Sequence, residues 1–87
     1  QGAFAPVQVS IPATAWQNNA ATLTAEDYSQ LANVSENSTV LFFADDTSAA
    51  AYISDNIRLS VQGTGSVTFA CDTAPTAAVS GLIIILN

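Results

Sequence analysis

Seven acidic residues, a single basic one and no histidine leave this 87-residue chain few groups for chemistry. Proton transfer near neutral pH is usually the work of His, of Lys, or of carboxylates set by their environment. Only carboxylates are on offer, and two adjacent pairs stand out, Glu26-Asp27 and Asp45-Asp46. Neighbours in sequence point apart unless a turn brings them together. Acids also favour helix starts, where the backbone dipole suits them. Solvated turns and helix starts are therefore the expectation for both pairs. The sharper alternative is a calcium site of oxygen ligands from Asp45, Asp46 and Asp55, but the EF-hand spacing is absent. Hydroxyls are plentiful, yet a nucleophilic Ser or Thr needs an activating base. Gly63-Thr64-Gly65 lacks the companion residues of a phosphate-cradling loop. The reading is a protein that is not an enzyme and uses no cofactor and no metal.

The remaining reactive groups read in the same way. Cys71 is the only cysteine, so it closes no disulfide within the chain and has no partner for a zinc spacing. A small buried apolar residue is the expectation, with an intersubunit disulfide or reactive thiol as the alternative. Arg58, the only cation, is expected in a salt bridge to Asp55 or another nearby acid, or to an acid of a neighbouring subunit, with direct ligand contact as the alternative. Asn33-Val34-Ser35 and Asn37-Ser38-Thr39 match the N-glycosylation pattern but read as turn residues in so Asn- and Ser-rich a chain. Trp16, Tyr28 and Tyr52 are either core and interface anchors or a sugar-binding surface.

Charge and composition narrow the partners. With a net charge of −6 and one Arg, the chain has nothing with which to replace counterions on phosphate, so nucleic acid is excluded. Anionic membrane surfaces are excluded on the same ground, and no apolar run approaches the roughly 20 residues of a membrane span. No basic start followed by a long apolar run marks a signal peptide. Charged residues make up 9% of the chain, well below the roughly 25% of ordinary soluble domains. Such a surface defends a lone monomer's sheet edges poorly and suits a subunit that hides much of itself.

The elements that would position these groups are short strands. Residues 1–6 read as a lead-in in which Phe4 tucks against the body, and residues 7–87 as a single domain. Val7 to Ile11 alternates apolar and polar until Pro12 stops it. Ala13 to Asn19 connects, with a turn at Asn18-Asn19, to a strand at Ala20 to Thr24. Glu26 to Leu31 is a short helical turn or a loop. Thr39 to Ala44 is a strand apolar on both faces. Asp45 to Ser48 then reads as a capping segment for a helical turn at Ala49 to Ile53. Ile57, Leu59 and Val61 alternate with Arg58, Ser60 and Gln62. A Gly-containing loop leads to a second alternating run ending at Cys71, together a β-hairpin. Val79 to Leu86 is the last strand. Its residues Leu82, Ile84 and Leu86 point one way, Ile83 and Ile85 the other.

About six short strands with one or two helical turns predict an all-β fold, a small antiparallel β-sandwich of jelly-roll-like form. A chain of this length covers one face of a sheet, hardly both. Sister copies are the economical cover for the second face. The candidate interface residues are Phe43, Ile83 and Ile85.

The order of these features resembles a family. An early Trp16 precedes a strand, and the run Thr39 to Phe43 leads to an Asp/Ser/Ala segment with Tyr52. Ile57 to Gln62 and Gly63 to Cys71 come next, then a Pro75 turn and the aliphatic strand ending in Asn87. This stretch, Trp16 to Asn87, resembles the C-terminal domain of phage fibre proteins, including collagen-like ones from phages and prophages of gut Firmicutes. The resemblance implies a homotrimer in a virion, a tail or head fibre or a capsid or tail decoration, whose end domain holds three chains in register. It implies a place on the phage particle, or alternatively on a bacterial cell surface, and contact with a host-surface glycan during attachment. A lectin-like adhesion module is the other reading. The central strand departs from the family in being more aromatic, with Phe42-Phe43, and no Gly-X-Y repeat follows Gln1-Gly2.

Overall fold

A computed structural model describes residues 6–86 of the chain. The predicted Phe4 contact and Asn87 lie outside them. Alternation decides the architecture from the first strand. In β1 (Val7–Ile11) the three apolar residues are buried and the two polar ones exposed. The same period runs through β2 (Ala20–Thr24), β3 (Thr39–Ala44), β5 (Ser66–Ala70) and β6 (Val79–Leu86). β4 (Arg58–Gly63) departs from it, and α1 (Ala49–Ser54) is a short helix between β3 and β4. The six expected strands all form.

They make two three-stranded antiparallel sheets, β1-β6-β3 and β2-β5-β4. The inner faces share one apolar cluster. Phe42 of β3 meets Phe69 of β5 across it at 5.0 Å between ring centroids, nearly edge to face, the arrangement that the ring quadrupoles favour. Pairing is nested: β1 with β6, then β2 with β5, while β3 and β4 return to those same two partners.

Turn chemistry sets the registers. Asn18 and Asn19 both take positive φ (53° and 63°), and Gln17 and Ala20 exchange two backbone hydrogen bonds across them. This is the primed two-residue turn whose twist suits a hairpin, and Asn tolerates its left-handed backbone. Gly65, at φ 72°, closes the β4–β5 hairpin. Helix α1 ends with Asn56 in the left-handed region. The Ile57 N–H reaches Tyr52 O at 3.0 Å and the Asn56 N–H reaches Ile53 O at 3.2 Å, the paired bonds of a Schellman cap.

Two local expectations need correction, and one left open is resolved. The capping segment does not cap α1 through a side chain. Instead Ser48 Oγ accepts the Ser80 N–H at 2.9 Å, and the Asp45 N–H donates to Ser80 O at 2.9 Å. Ser48 thus satisfies a strand donor where β3 has turned away. The Glu26 to Leu31 stretch resolves into a turn and a 3-10 helix at Ser29–Asn33, and a further 3-10 turn forms at Ala13–Ala15. Finally, the register of β4 shifts between Leu59 and Val61. A bulge places one extra residue in the strand and flips the residues beyond it to the other face. Val61 is consequently 64% exposed. Gln62 turns to the polar loop before β3 and donates to the carbonyls of Ser35 (2.9 Å) and Ser38.

Two substitutions probe these joints. A side chain at Gly81 would set its Cβ against the carbonyl oxygen of Phe43 and 2.7 Å from the Phe42 ring. Backbone cannot yield there, so Gly81→Ala is expected to cost about 1–3 kcal/mol in chemical denaturation. Ser48→Ala strands the Ser80 N–H, and the same measurement should show a loss of about 1–3 kcal/mol.

Candidate functional site, an apolar sheet face

The register of β6 against β3 builds the site. Phe43 lies opposite Leu82, Leu41 opposite Ile84 and Thr39 opposite Leu86. Side chains of like parity share a face, so Leu41, Phe43, Leu82, Ile84 and Leu86 form one apolar surface on the outside of the β1-β6-β3 sheet. Phe43 is 54% and Leu41 41% exposed, and the three β6 residues are half-buried. Towards the other end the same face turns polar, with Gln8 opposite Leu82 and Ser10 opposite Ser80. Gln8 Nε2 reaches Asp45 Oδ2 and Gly81 O, each at 3.4 Å. An open cleft of about 520 Å³ runs along this border, lined by Phe43, Ala44, Asp45, Asp46, Thr47 and Leu82.

The outside of the β2-β5-β4 sheet contrasts with it. Thr22 and Thr68 share a hydroxyl hydrogen bond of 2.9 Å there, beside Thr24, Ser66, Arg58 and the exposed Val61, the one large apolar side chain among the described residues of this face. One outer face is therefore mainly apolar and the other mainly polar.

Of the three candidate interface residues, only Phe43 lies on the apolar face. Ile83 and Ile85 share parity with Val79 and Gly81, and all four are buried inside the single chain. Their place as interface residues is corrected to core. Leu41 was not singled out from the sequence. Its signal was the parity it shares with Phe43, which means nothing until β3 is paired with β6.

The other singled-out residues go elsewhere. Arg58 pairs with Asp72 rather than Asp55, its Nη1 standing 3.2 Å from Oδ1 and donating to Asn56 O at 2.7 Å. Asn56 Nδ2 donates to Asp72 Oδ2 at 3.0 Å and Asn19 Nδ2 to Asp72 O at 3.2 Å. These bonds fasten the start of the segment after β5 to the end of α1 and to the Asn18-Asn19 turn. Cys71 is buried and free, and that burial, with Asp55 next, pushes its thiol pKa up. Asp45-Asp46 and Asp55 flank opposite ends of α1, and no cluster able to hold a metal ion occurs among the described residues. Trp16 is 8% exposed, and its indole N–H meets no acceptor among the described residues. Tyr52 packs against Phe42 at 5.4 Å, and the Tyr28 hydroxyl both accepts the Ser10 N–H and donates to Ser10 O. The three do not form a common exposed aromatic surface. Asn33 ends a 3-10 helix and Asn37 sits in a turn.

No protein-family model, no curated protein and no solved structure matches the chain.

The Asp72 cluster makes a prediction with a definite sign. Hydrogen bonds from Asn56, then Arg58, hold the Asp72 carboxyl below its ordinary value of 3.8. A carboxylate favoured in the folded state adds stability that is whole above the unfolded pKa and fades as pH falls through the folded one. Thermal unfolding between about pH 2 and 6 should show Tm falling on acidification below the ordinary carboxylate range. Asp72→Asn should flatten part of that acid limb. An unchanged limb would show that the cluster does not hold the carboxylate.

Proposed function

We propose that the chain is a non-enzymatic structural module that assembles with copies of itself through the outer face of β3 and β6. In its specific form the module is a homotrimeric sandwich of jelly-roll-like connectivity, the end domain of a phage fibre or of a capsid or tail decoration. One observation carries the reading: five large apolar side chains, Leu41, Phe43, Leu82, Ile84 and Leu86, lie together on the outside of a small protein. Contiguous exposed patches of this kind mark interaction sites. The nested pairing of six strands supports the jelly-roll form. The phage assignment and the number three rest on the order of motifs from Trp16 to Asn87. The glycan-reading alternative loses support from its aromatic trio, since Trp16 is spent in the core and Tyr52 against Phe42.

The energetics are adequate. Each Leu or Ile side chain taken fully out of water contributes about 1.5–3 kcal/mol. Several per protomer offset the weakness of a small core.

Size-exclusion chromatography with light scattering at micromolar concentration should give three times the 8.9 kDa protomer mass. Phe43→Asp should weaken association at least about tenfold while leaving the strand signal in circular dichroism intact, because Phe43 is outside the core. A protein that remains a monomer at that concentration would overturn the proposal.

A further inference from the structure

Alternation along a strand governs the backbone as well as the side chains. In an antiparallel ladder every second residue turns its N–H and C=O to one neighbour, and the residues between turn theirs to the other side. The Asp45 N–H donates to Ser80 O at 2.9 Å, so in the register of β3 against β6 it is Thr39, Leu41 and Phe43 that bond to β6. Val40, Phe42 and Ala44 turn their backbone groups away from the sheet, and nothing among the described residues takes them up.

The other three edges are occupied or bent. On β1 the Tyr28 hydroxyl bonds both backbone groups of Ser10. On β2, Ala20 exchanges both of its backbone bonds with Gln17, and Thr24 O accepts the N–H groups of Asp27 and Tyr28. β4 carries a register shift between Leu59 and Val61, and a bulge is one of the devices that blunt an edge. β3 has no such protection. Its sequence, Thr-Val-Leu-Phe-Phe-Ala, holds no charge, proline or glycine, which makes it a template for another strand.

We propose that the outward edge of β3 pairs antiparallel with the same edge of a second copy, about a two-fold axis at Phe42. This contact is separate from the outer face of β3 and β6. A two-fold contact uses one surface on both copies, and β3 is self-complementary in one register. With Phe42 opposite the partner's Phe42, Val40 stands opposite the partner's Ala44 and Ala44 opposite the partner's Val40. Every residue that turns outward then meets another that does, and each pair exchanges both of its backbone bonds. A slip of one residue sets outward groups against inward ones, and a slip of two leaves one of the three without a strand partner. The side chains agree with this register. Leu41 faces the partner's Phe43 on the outer side, at the close Cα spacing, about 4.5 Å, of a pair without backbone bonds. Asp45 and Asp46 come opposite the partner's Thr39 and Ser38, so no carboxylate faces another. Three residue pairs make a small contact, which forms well above the micromolar range, at about 0.1–1 mM.

Amide hydrogen exchange reads the edge residue by residue. At about 1 mM protein the amides of Val40, Phe42 and Ala44 should exchange slowly, and dilution to about 20 µM should release them. Isotope-filtered NMR on the concentrated sample should show an Hα–Hα contact between Leu41 and the partner's Phe43, a backbone signature that packing of outer faces does not give. Ala44→Pro removes one outward N–H and leaves the bonds to β6, because proline is tolerated where an edge strand's N–H points away from the sheet. The donor is lost twice in each pair of copies, so edge association should weaken about tenfold or more. Val40→Pro serves if the first variant disturbs the fold. The proposal is overturned if the three amides exchange freely at about 1 mM, or if their protection survives both dilution and the proline. Cross-chain backbone contacts at another edge overturn it equally. Mass at micromolar concentration reports on the outer face instead, so the two readings fail separately.

Discussion

From Gly81 to Leu86 strand β6 is apolar on both faces, and the rest of the structure depends on that. A strand alternates its side chains, so a run without polar residues cannot satisfy both sides with one core. The inner set, Val79, Ile83 and Ile85, fills the space between the sheets, and Gly81 leaves room there for the Phe42 ring. The outer set, Leu82, Ile84 and Leu86, is joined by Leu41 and Phe43 of the neighbouring strand. The core and the exposed face are therefore two consequences of one sequence feature. β6 is also the middle strand of its sheet, so its backbone pairs on both sides while one of its faces stays unpartnered.

The remaining elements close the ends of this arrangement with polar groups rather than with more core. Ser48 takes up the Ser80 N–H where β3 leaves the sheet, and the Tyr28 hydroxyl does the same for both backbone groups of Ser10 on edge strand β1. Asp72 gathers Asn56, Arg58 and Asn19 around the start of the segment that precedes β6. Such substitutes matter in a domain with four edge strands and no lysine, because an unpaired edge is a template for unwanted pairing.

Most of the strands were legible because alternation is a local signal. Val7 to Ile11, Ala20 to Thr24 and the Gly65 hairpin each announce themselves within a few residues, and so does the alanine turn of α1. The features that escaped were set at a distance. Ile57, Leu59 and Val61 continue a regular alternation, and nothing in them announces a bulge. The slip appears only where Gln62 meets the carbonyls of Ser35 and Ser38. Arg58 chose Asp72 over the nearer Asp55 because α1 and the segment after β5 converge there. The residues of the outer apolar face were half legible for the same reason. In a run such as Leu-Ile-Ile-Ile-Leu either parity could be the inner one, and only the pairing with Phe42 and the closeness at Gly81 decide it. Phe43 does lie on the outer face, Ile83 and Ile85 are in the core instead, and Leu41 waited on the register.

The face of β3 and β6 is where the functional reading stands or falls. Isotope-filtered NMR on a mixture of labelled and unlabelled protein detects contacts that cross between chains. The account predicts intermolecular contacts at the methyl groups of Leu41, Leu82, Ile84 and Leu86 and none at Ile83. Intermolecular contacts confined to the Thr22 and Thr68 face, or absent altogether, would contradict it.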